Sequence, residues 1–143
     1  MTSYNDSFLY LLAPFLGWIL AQTIKLILTL RKDGISWGDS LQSGGMPSSH
    51  TAFMVSISTI IGINFGFTSA LFALAISVTA IIIYDALGVR RTTGEQTDAI
   101  RKLSKKINIK VDLTNDARGH NPLEIMGGVA VGLFVGTVLS LFL

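Results

Sequence analysis

The chain of 143 residues contains no cysteine and little charge. Without cysteine it can form no disulfide and no thiolate metal site, and it has no cysteine nucleophile. Charged residues make up 14% of the chain and hydrophobic residues 50%, whereas ordinary soluble domains are about 25% charged. A single domain of this length cannot bury so much apolar surface in a soluble core. We therefore expect a lipid bilayer to be its solvent.

Two further features are missing from the sequence. The net charge of +2 comes with no tail rich in lysine and arginine, so we expect no nucleic-acid partner. The first seven residues contain no lysine or arginine, so they lack the basic start of a cleaved signal peptide. The length suits one domain, and we predict a single membrane-embedded domain over residues 1–143.

Four stretches are apolar and long enough to span a bilayer, which takes about 20 residues. They are Phe8–Leu30, about Thr51–Phe67, Ser69–Leu87 and Leu123–Leu143. Lipid offers no partner to open backbone groups, so each span should be a helix. We predict an all-α integral membrane bundle of about four transmembrane helices, in which the second and third form a tight hairpin.

The basic residues predict the orientation of the bundle. They cluster in the loops that follow the first and third spans, and none occurs at the N-terminus, in the second connection or at the C-terminus. Loops rich in lysine and arginine stay in the cytoplasm. We therefore expect both termini outside, in a bacterial cell membrane or an organelle membrane.

The long loop 88–122 should contain a helix of its own, because structureless loops of this length are uncommon in compact domains. Thr92 and Glu95 resemble a capping box. An apolar stripe follows at Ile100, Leu103 and Ile107, surrounded by lysine and arginine. We predict an amphipathic helix on the anionic cytoplasmic membrane surface, with a solvated helix packed on the other loop as the alternative.

Glycines recur every four residues in the last span, at Gly128, Gly132 and Gly136, and another pair is Gly62 and Gly66. Small residues at this spacing let helices approach closely. We favour packing within the bundle for these glycines. A homodimer is the alternative, because four helices make a thin bundle.

The chain has only two histidines, and the first ends the segment SGGMPSSH. Pro47 suits the first position of a helix, so Ser48, Ser49 and His50 would offer hydroxyls and free backbone amides at a helix N-terminus. Such a terminus can bind a phosphate. A plain helix cap with an incidental histidine is the alternative.

The second histidine, His120, lies four residues before Glu124. On a helix the two would share one face, and the carboxylate would orient the imidazole as the acid of a catalytic triad does. A charged helix cap at the membrane edge is the alternative.

Four more ionisable residues lie near the same ends of the spans. Lys25 lies within the apolar first span, where ionisable groups usually face the protein interior and serve function, although the side chain can also snorkel to the interface. Asp85, Arg90 and Arg91 bracket the end of the third span. They can pair with one another, or the arginines can hold phosphate oxygens.

Together these residues suit phosphoryl transfer at one membrane face. One histidine can attack phosphorus while the other protonates the leaving oxygen, and cations and helix N-termini stabilise the phosphoryl group. This chemistry requires no metal or cofactor. The metal-dependent alternative is a hydrolase with His50, Asp85, His120 and Glu124 as ligands.

The segments SGGMPSSHTA, YDALGVRR and GHNPLE resemble, in order and spacing, the type-2 phosphatidic acid phosphatases, relatives of the vanadium haloperoxidases. The similarity is to the small divergent branch of that superfamily and covers almost the whole chain. Its second motif, Pro-Ser-Gly-His, is matched by Pro47, Ser48 and His50, with Ser49 in place of glycine.

The other two motifs are matched in part. Lys25 matches the lysine of the first, but Lys32 stands where an Arg-Pro pair is expected, and Arg31 is one place early. His120 and Glu124 match the end of the third, with glutamate for aspartate. The arginine of the third motif is replaced by Thr114. The candidate substitutes are Arg90, Arg91 and Arg118.

The resemblance implies a role for each residue. His120 would be the nucleophile that forms a phosphohistidine, Glu124 would orient it, and His50 would be the general acid. The phosphate ligands would be Lys25, Ser48, Ser49, Arg90 and Arg91, and the supporting residues Asp85, Arg118 and Arg31.

The implied function is a metal-independent lipid-phosphate phosphatase at the cytoplasmic leaflet. The substrate would be phosphatidylglycerophosphate, phosphatidate or a prenyl phosphate. The alternative is a non-catalytic lipid-phosphate binding or transport protein on the same scaffold.

Overall fold

A computed structural model describes residues 4–30, 45–109, 111 and 120–143, with side chains from residue 8. The described residues form helices and no strand. The helices are α1 (Tyr4–Leu30), α2 (Ser49–Phe65), α3 (Ala70–Leu87), α4 (Val89–Ile107) and α5 (Pro122–Ser140). The prediction of an all-α membrane bundle with an additional amphipathic helix is therefore confirmed.

Three of the described helical segments are long and apolar enough to cross a membrane. They are Phe8–Leu30, the apolar part of the α3–α4 segment, and Pro122–Ser140. The fourth apolar helix, α2, has 17 residues and rises about 25 Å at 1.5 Å per residue, slightly less than a typical hydrocarbon core. The turn between α2 and α3 is short, as predicted for a hairpin.

Helix α2 is the centre of the bundle and contacts α1, α3 and α5. Its small polar side chains make buried hydrogen bonds to the neighbouring helices. Ser56 Oγ donates to the carbonyl oxygen of Ala13 in α1 at 3.0 Å, and Ser58 Oγ lies 2.9 Å from Thr79 Oγ1 in α3. In lipid, close packing and interhelical hydrogen bonds replace the hydrophobic effect as the force between helices.

The glycine face of α5 lies directly on α2. A Cβ built on Gly128 would come within 2.4 Å of the Ser48 carbonyl oxygen, and one on Gly132 within 2.6 Å of Val55 Cβ. A Cβ on Gly136 would come within 2.6 Å of Thr59 Cβ. The stripe therefore serves packing within the bundle, and this face is not open to a second copy of the chain.

The prediction for the other glycine pair was wrong in part. Gly62 is covered by the rings of Phe67 and Phe72, but a Cβ on Gly66 would meet nothing within 4 Å. Gly66 is the C-cap of α2 with φ of 89°, a conformation that glycine adopts without steric cost. Gly66 therefore ends α2 rather than packing a helix against it.

The predicted capping box of the amphipathic helix was also wrong. Helix α4 begins at Val89, and its N-cap Gly88 makes no side-chain cap. Thr92 lies inside the first turn, where its hydroxyl donates to the Gly88 carbonyl oxygen at 3.1 Å. Glu95 instead accepts from Arg91 Nε at 3.2 Å. The helix starts earlier because Gly88 alone separates it from α3.

Candidate active site

Residues from four helix ends meet at one face of the bundle. They come from the C-terminal part of α1, the start of α2, the junction of α3 with α4, and the start of α5. His50 lies within electrostatic range of Arg90, His120 and Lys25, and Lys25 lies within range of Glu124. Histidines, cations and a carboxylate far apart in sequence therefore share one site.

The start of α5 holds the histidine–carboxylate pair. His120 Nδ1 lies 2.8 Å from Glu124 Oε2, and the Asn121 amide donates to the same oxygen at 3.2 Å. Asn121 is the N-cap, with its side chain accepting from the Leu123 amide. The spacing was predicted correctly to bring the pair together, although His120 precedes the helix instead of lying on it.

This pairing determines which ring nitrogen of His120 is available. An ionised carboxylate only accepts hydrogen bonds, so Nδ1 of His120 donates to Glu124. In the neutral ring Nε2 then carries the lone pair, as in a catalytic triad. The arrangement leaves the lone pair of Nε2 unengaged by Glu124.

His120 is buried, with 6% of its surface exposed. Its backbone amide donates to the carbonyl oxygen of Ala86, near the end of α3, at 3.1 Å. The position of His120 is therefore fixed from two helices, by Glu124 of α5 and by the backbone of α3.

The start of α2 is capped by Ser48, which is fully buried. Its Oγ accepts from Thr51 Oγ1 at 3.0 Å and from the Thr51 amide at 3.5 Å, and its backbone amide donates to the carbonyl oxygen of Glu124 at 2.8 Å. The prediction that Pro47 occupies the first helical position was wrong. Pro47 precedes the cap, and Ser49 is the first helical residue.

Both the side-chain hydroxyl and the backbone amide of Ser48 are therefore engaged in hydrogen bonds within the protein. Ser49, the next residue, is partly exposed. The first amides of a helix have no intrahelical partner. At the start of α2 these belong to Ser49 and His50, which makes them the amides suited to an anion at this face.

Lys25 lies inside the bundle, with 8% of its surface exposed. A Cβ on Gly45 would come within 2.9 Å of Lys25 Cε, so the lysine side chain passes against the backbone of this glycine. Gly45 has φ of 92°, a second reason for glycine at the position. The loop before α2 thus contacts the cation of α1.

The two arginines at the start of α4 differ in their surroundings. Arg90 Nε donates to Asp85 Oδ2 at 2.7 Å across the α3–α4 junction, and the charge of Arg90 acts on His50. Arg91 pairs with Glu95 along α4 on an exposed surface. Arg90 therefore lies in the electrostatic environment of His50, and Arg91 is not among the charges that act on this histidine.

His50 precedes Thr51, where the apolar stretch of α2 begins, so the ring lies at the membrane face and outside the span. Partial burial lowers the pKa of His50, and the positive charges of Arg90, His120 and Lys25 lower it further. A histidine whose pKa is lowered gives up its proton more readily.

No group of three or more histidine, aspartate or glutamate side chains within the described ranges is placed to hold a metal ion. The four residues of the metal-dependent alternative, His50, Asp85, His120 and Glu124, are all described and form no such group. Asp85 is instead bound to Arg90, and Glu124 to His120.

Four residues of the sequence predictions lie outside the described residues, namely Arg31, Lys32, Thr114 and Arg118. Two residues of the site were missed from sequence. Asn121 caps the helix that carries Glu124, and the order Asn-Pro-Leu-Glu is the signal that would have found it. Gly45 lies against Lys25, and only the fold reveals this contact.

Comparison with known proteins identifies the family of the chain. The chain is 33% identical to the uncharacterized membrane protein YuiD of Bacillus subtilis (strain 168), over 92% of this chain and 94% of that protein. No solved structure matches the chain. Residues 7–135 match the model of the divergent PAP2 family. This matched range includes every described residue of the site. The protein is an integral membrane protein and belongs to the divergent PAP2 family.

Proposed function

We propose that the protein is a lipid-phosphate phosphatase that works through a phosphohistidine on His120. The observation that carries this proposal is the 2.8 Å contact between His120 Nδ1 and Glu124 Oε2, made by a buried histidine. A carboxylate that holds Nδ1 leaves Nε2 to attack phosphorus. The second histidine, His50, lies within electrostatic range of His120 and of the cations Arg90 and Lys25, an arrangement that a merely structural histidine pair would not need.

In the first step, His120 Nε2 forms a bond to phosphorus as the bond from phosphorus to the lipid oxygen breaks. His50 donates its proton to the departing oxygen, so the lipid leaves as an alcohol. Glu124 stabilises the positive charge that develops on the His120 ring.

In the second step, water attacks the phosphohistidine. Neutral His50 accepts a proton from the water as the nitrogen–phosphorus bond breaks. Inorganic phosphate leaves, and both histidines return to their starting states. The cycle is balanced without a metal, an oxidant or a reductant.

We assign the phosphate oxygens to Lys25, Arg90 and the amides of Ser49 and His50. Asp85 accepts a hydrogen bond from Nε of Arg90. Among the described residues, no acceptor binds the two terminal nitrogens of this guanidinium. The guanidinium can therefore present a planar edge to phosphate. Arg90 is thus our candidate for the arginine that Thr114 replaces in the third motif, and Asp85 positions it.

The substrate would be a phosphomonoester of a membrane lipid, such as phosphatidylglycerophosphate, phosphatidate or a prenyl phosphate. The site lies at the ends of apolar helices, where a headgroup can enter while the hydrocarbon tails stay in lipid. The distribution of lysine and arginine favours the cytoplasmic leaflet of a cell membrane.

The test is phosphate release from a panel of lipid phosphates by the purified protein in detergent, with a chelator present. Wild-type protein should release phosphate, and His120→Ala should release none while keeping its helical content. After an acid-free quench, only wild type should carry an alkali-stable phosphoryl group. Normal turnover by folded His120→Ala would refute the proposal.

The second candidate function is binding of a lipid phosphate without hydrolysis. It is favoured by the departures from the first and third motifs, at Lys32 and Thr114. Under this function, folded wild-type protein would bind lipid phosphate, lose that binding in Lys25→Gln, and release no phosphate from any lipid of the panel.

A further inference from the structure

Helix α4 carries an apolar stripe that nothing in the described structure covers. Ile100, Leu103 and Ile107 are 42%, 59% and 60% exposed. Ile109, just beyond the helix, is 57% exposed. Large apolar side chains aligned on one side of a helix normally face a core or a membrane.

The stripe is not the side of α4 that is turned toward the rest of the protein. The partly covered positions of the helix are Arg90, Gly94, Thr97, Arg101 and Ser104. They repeat every three to four residues and define a second face, roughly 100° around the axis from the stripe at 3.6 residues per turn. Among the described residues, therefore, none covers these apolar side chains.

The start of α4 is fixed at the membrane face. Gly88 is the only residue between α4 and the apolar helix α3. Its amide still bonds to Tyr84 of α3, and its carbonyl oxygen accepts from Thr92 of α4. Tyr84 is 74% exposed, and tyrosine is enriched at the level of lipid headgroups. Helix α4 thus begins directly at the end of an apolar helix.

The charge of α4 is complementary to anionic lipid. The helix contains six basic and two acidic residues, and both acidic residues precede Ala99. Glu95 pairs with Arg91, and Asp98 with Arg101. In the second half of α4, Lys106 therefore lies beside the apolar stripe and Lys102 further round the same flank, whereas Lys105 lies on the opposite side with Asp98.

We propose that α4 docks on an anionic membrane surface, with Leu103 and its neighbours at the headgroup–acyl boundary and with Lys102 and Lys106 among lipid phosphates. A glycine junction allows the helix axis to leave the direction of α3. The proposal concerns binding to the bilayer and does not depend on catalysis by His120.

The test uses the full-length protein in lipid nanodiscs. Because the chain has no cysteine, single cysteines can carry an environment-sensitive fluorophore. Leu103→Cys and Ile107→Cys probe the stripe, and Asp98→Cys is the matched control on the opposite, exposed side of the helix. Lipids with a nitroxide near the headgroup quench fluorophores that enter the boundary.

In phosphatidylglycerol nanodiscs we expect blue-shifted emission and at least threefold stronger quenching at positions 103 and 107 than at 98. Replacing Lys102 and Lys106 with glutamine, or using phosphatidylcholine, should reduce that quenching. Equal quenching at 98 and 103, or none at either stripe position, would overturn docking. Undiminished quenching in phosphatidylcholine would overturn the requirement for anionic lipid. A blue shift that appears only with added acidic protein would assign the stripe to a protein partner.

Discussion

The backbone amide of Ser48 donates to the carbonyl oxygen of Glu124 at 2.8 Å. This bond joins the cap of α2 to the first turn of α5, so the two histidine-bearing segments are held together through backbone atoms. One residue thereby has two functions. The side chain of Glu124 orients His120, and its backbone fixes the helix that carries His50.

Glu124→Gln should lower kcat by roughly 10²- to 10⁴-fold, in the range found when the acid of a catalytic triad loses its charge. Glutamine can still complete the capping box, so the helix should remain intact while the charge that supports His120 is lost. The measurement is phosphate release with helical content from circular dichroism.

Glu95→Gln is the matched control, because Glu95 is an exposed carboxylate paired within α4. Its kcat should stay within about twofold of wild type, as expected for a surface ion pair. If the two variants lose activity equally, Glu124 has no special role.

Gly128→Ala should destabilise the bundle and reduce activity together. Its Cβ would meet the Ser48 carbonyl oxygen at 2.4 Å and Thr51 Cβ at 2.8 Å, so α5 would have to move away from α2. Overpacking of this kind costs about 1–3 kcal/mol. Thermal unfolding in detergent measures the loss.

Gly127→Ala provides the comparison at the neighbouring position, where the nearest atom would be Pro47 Cβ at 3.2 Å. We expect it to unfold at a higher temperature than Gly128→Ala. The reverse order would contradict the packing of α5 on α2.

Arg90→Gln should lower kcat/KM by at least tenfold, because a hydrogen-bonded charge at phosphate is worth about 1.5–3 kcal/mol. Arg91→Gln removes the same charge from the next residue and should have a much smaller effect, since Arg91 pairs with Glu95 on an exposed surface. Steady-state kinetics on one lipid phosphate compares them. Equal losses would remove the distinction between the arginines.

The rate should fall as pH rises through the pKa of His50. A general acid acts in its protonated form, and partial burial followed by the charges of Arg90, His120 and Lys25 lowers the pKa of His50. The fall should therefore be centred below about 6.5, the ordinary value for histidine. The profile of kcat/KM against pH for a lipid phosphate measures it, because kcat/KM reports the pKa of the free enzyme.

Two controls isolate His50 in that profile. An aryl phosphate, whose leaving group needs no proton, should show a much weaker fall. In Arg90→Gln the fall should move to higher pH, because one of the positive charges is gone. A fall that is identical for both substrates would exclude His50 as the acid.

Lys105→Cys and Phe142→Cys should react with an impermeant thiol reagent from opposite sides of the membrane. Both side chains are exposed, and the wild type, which has no cysteine, is an unreactive background. Intact cells should label position 142 only, and inverted vesicles position 105. Labelling of both from one side would contradict the predicted orientation.

Much of the fold could be predicted from composition and periodicity. The apolar stretches placed the helices within a few residues, because length and hydropathy suffice for spans in lipid. The start of α4 was misplaced, since Thr92 and Glu95 fit a capping box in sequence while the helix continues back to Gly88. Pro47 was predicted at the first helical position, but it lies before the helix, because the next residue, Ser48, is the N-cap.

By itself the sequence determined that the chain is membrane-embedded, that its spanning helices are apolar, and that His120 and Glu124 are close enough to pair. These depend on local spacing and on solvent. Only the tertiary structure decided that Arg90 rather than Arg91 acts on His50, that Gly128 packs on Ser48, and that Lys25 passes Gly45. Each of these depends on how separate helices approach one another, and helical spacing within one segment does not encode that approach.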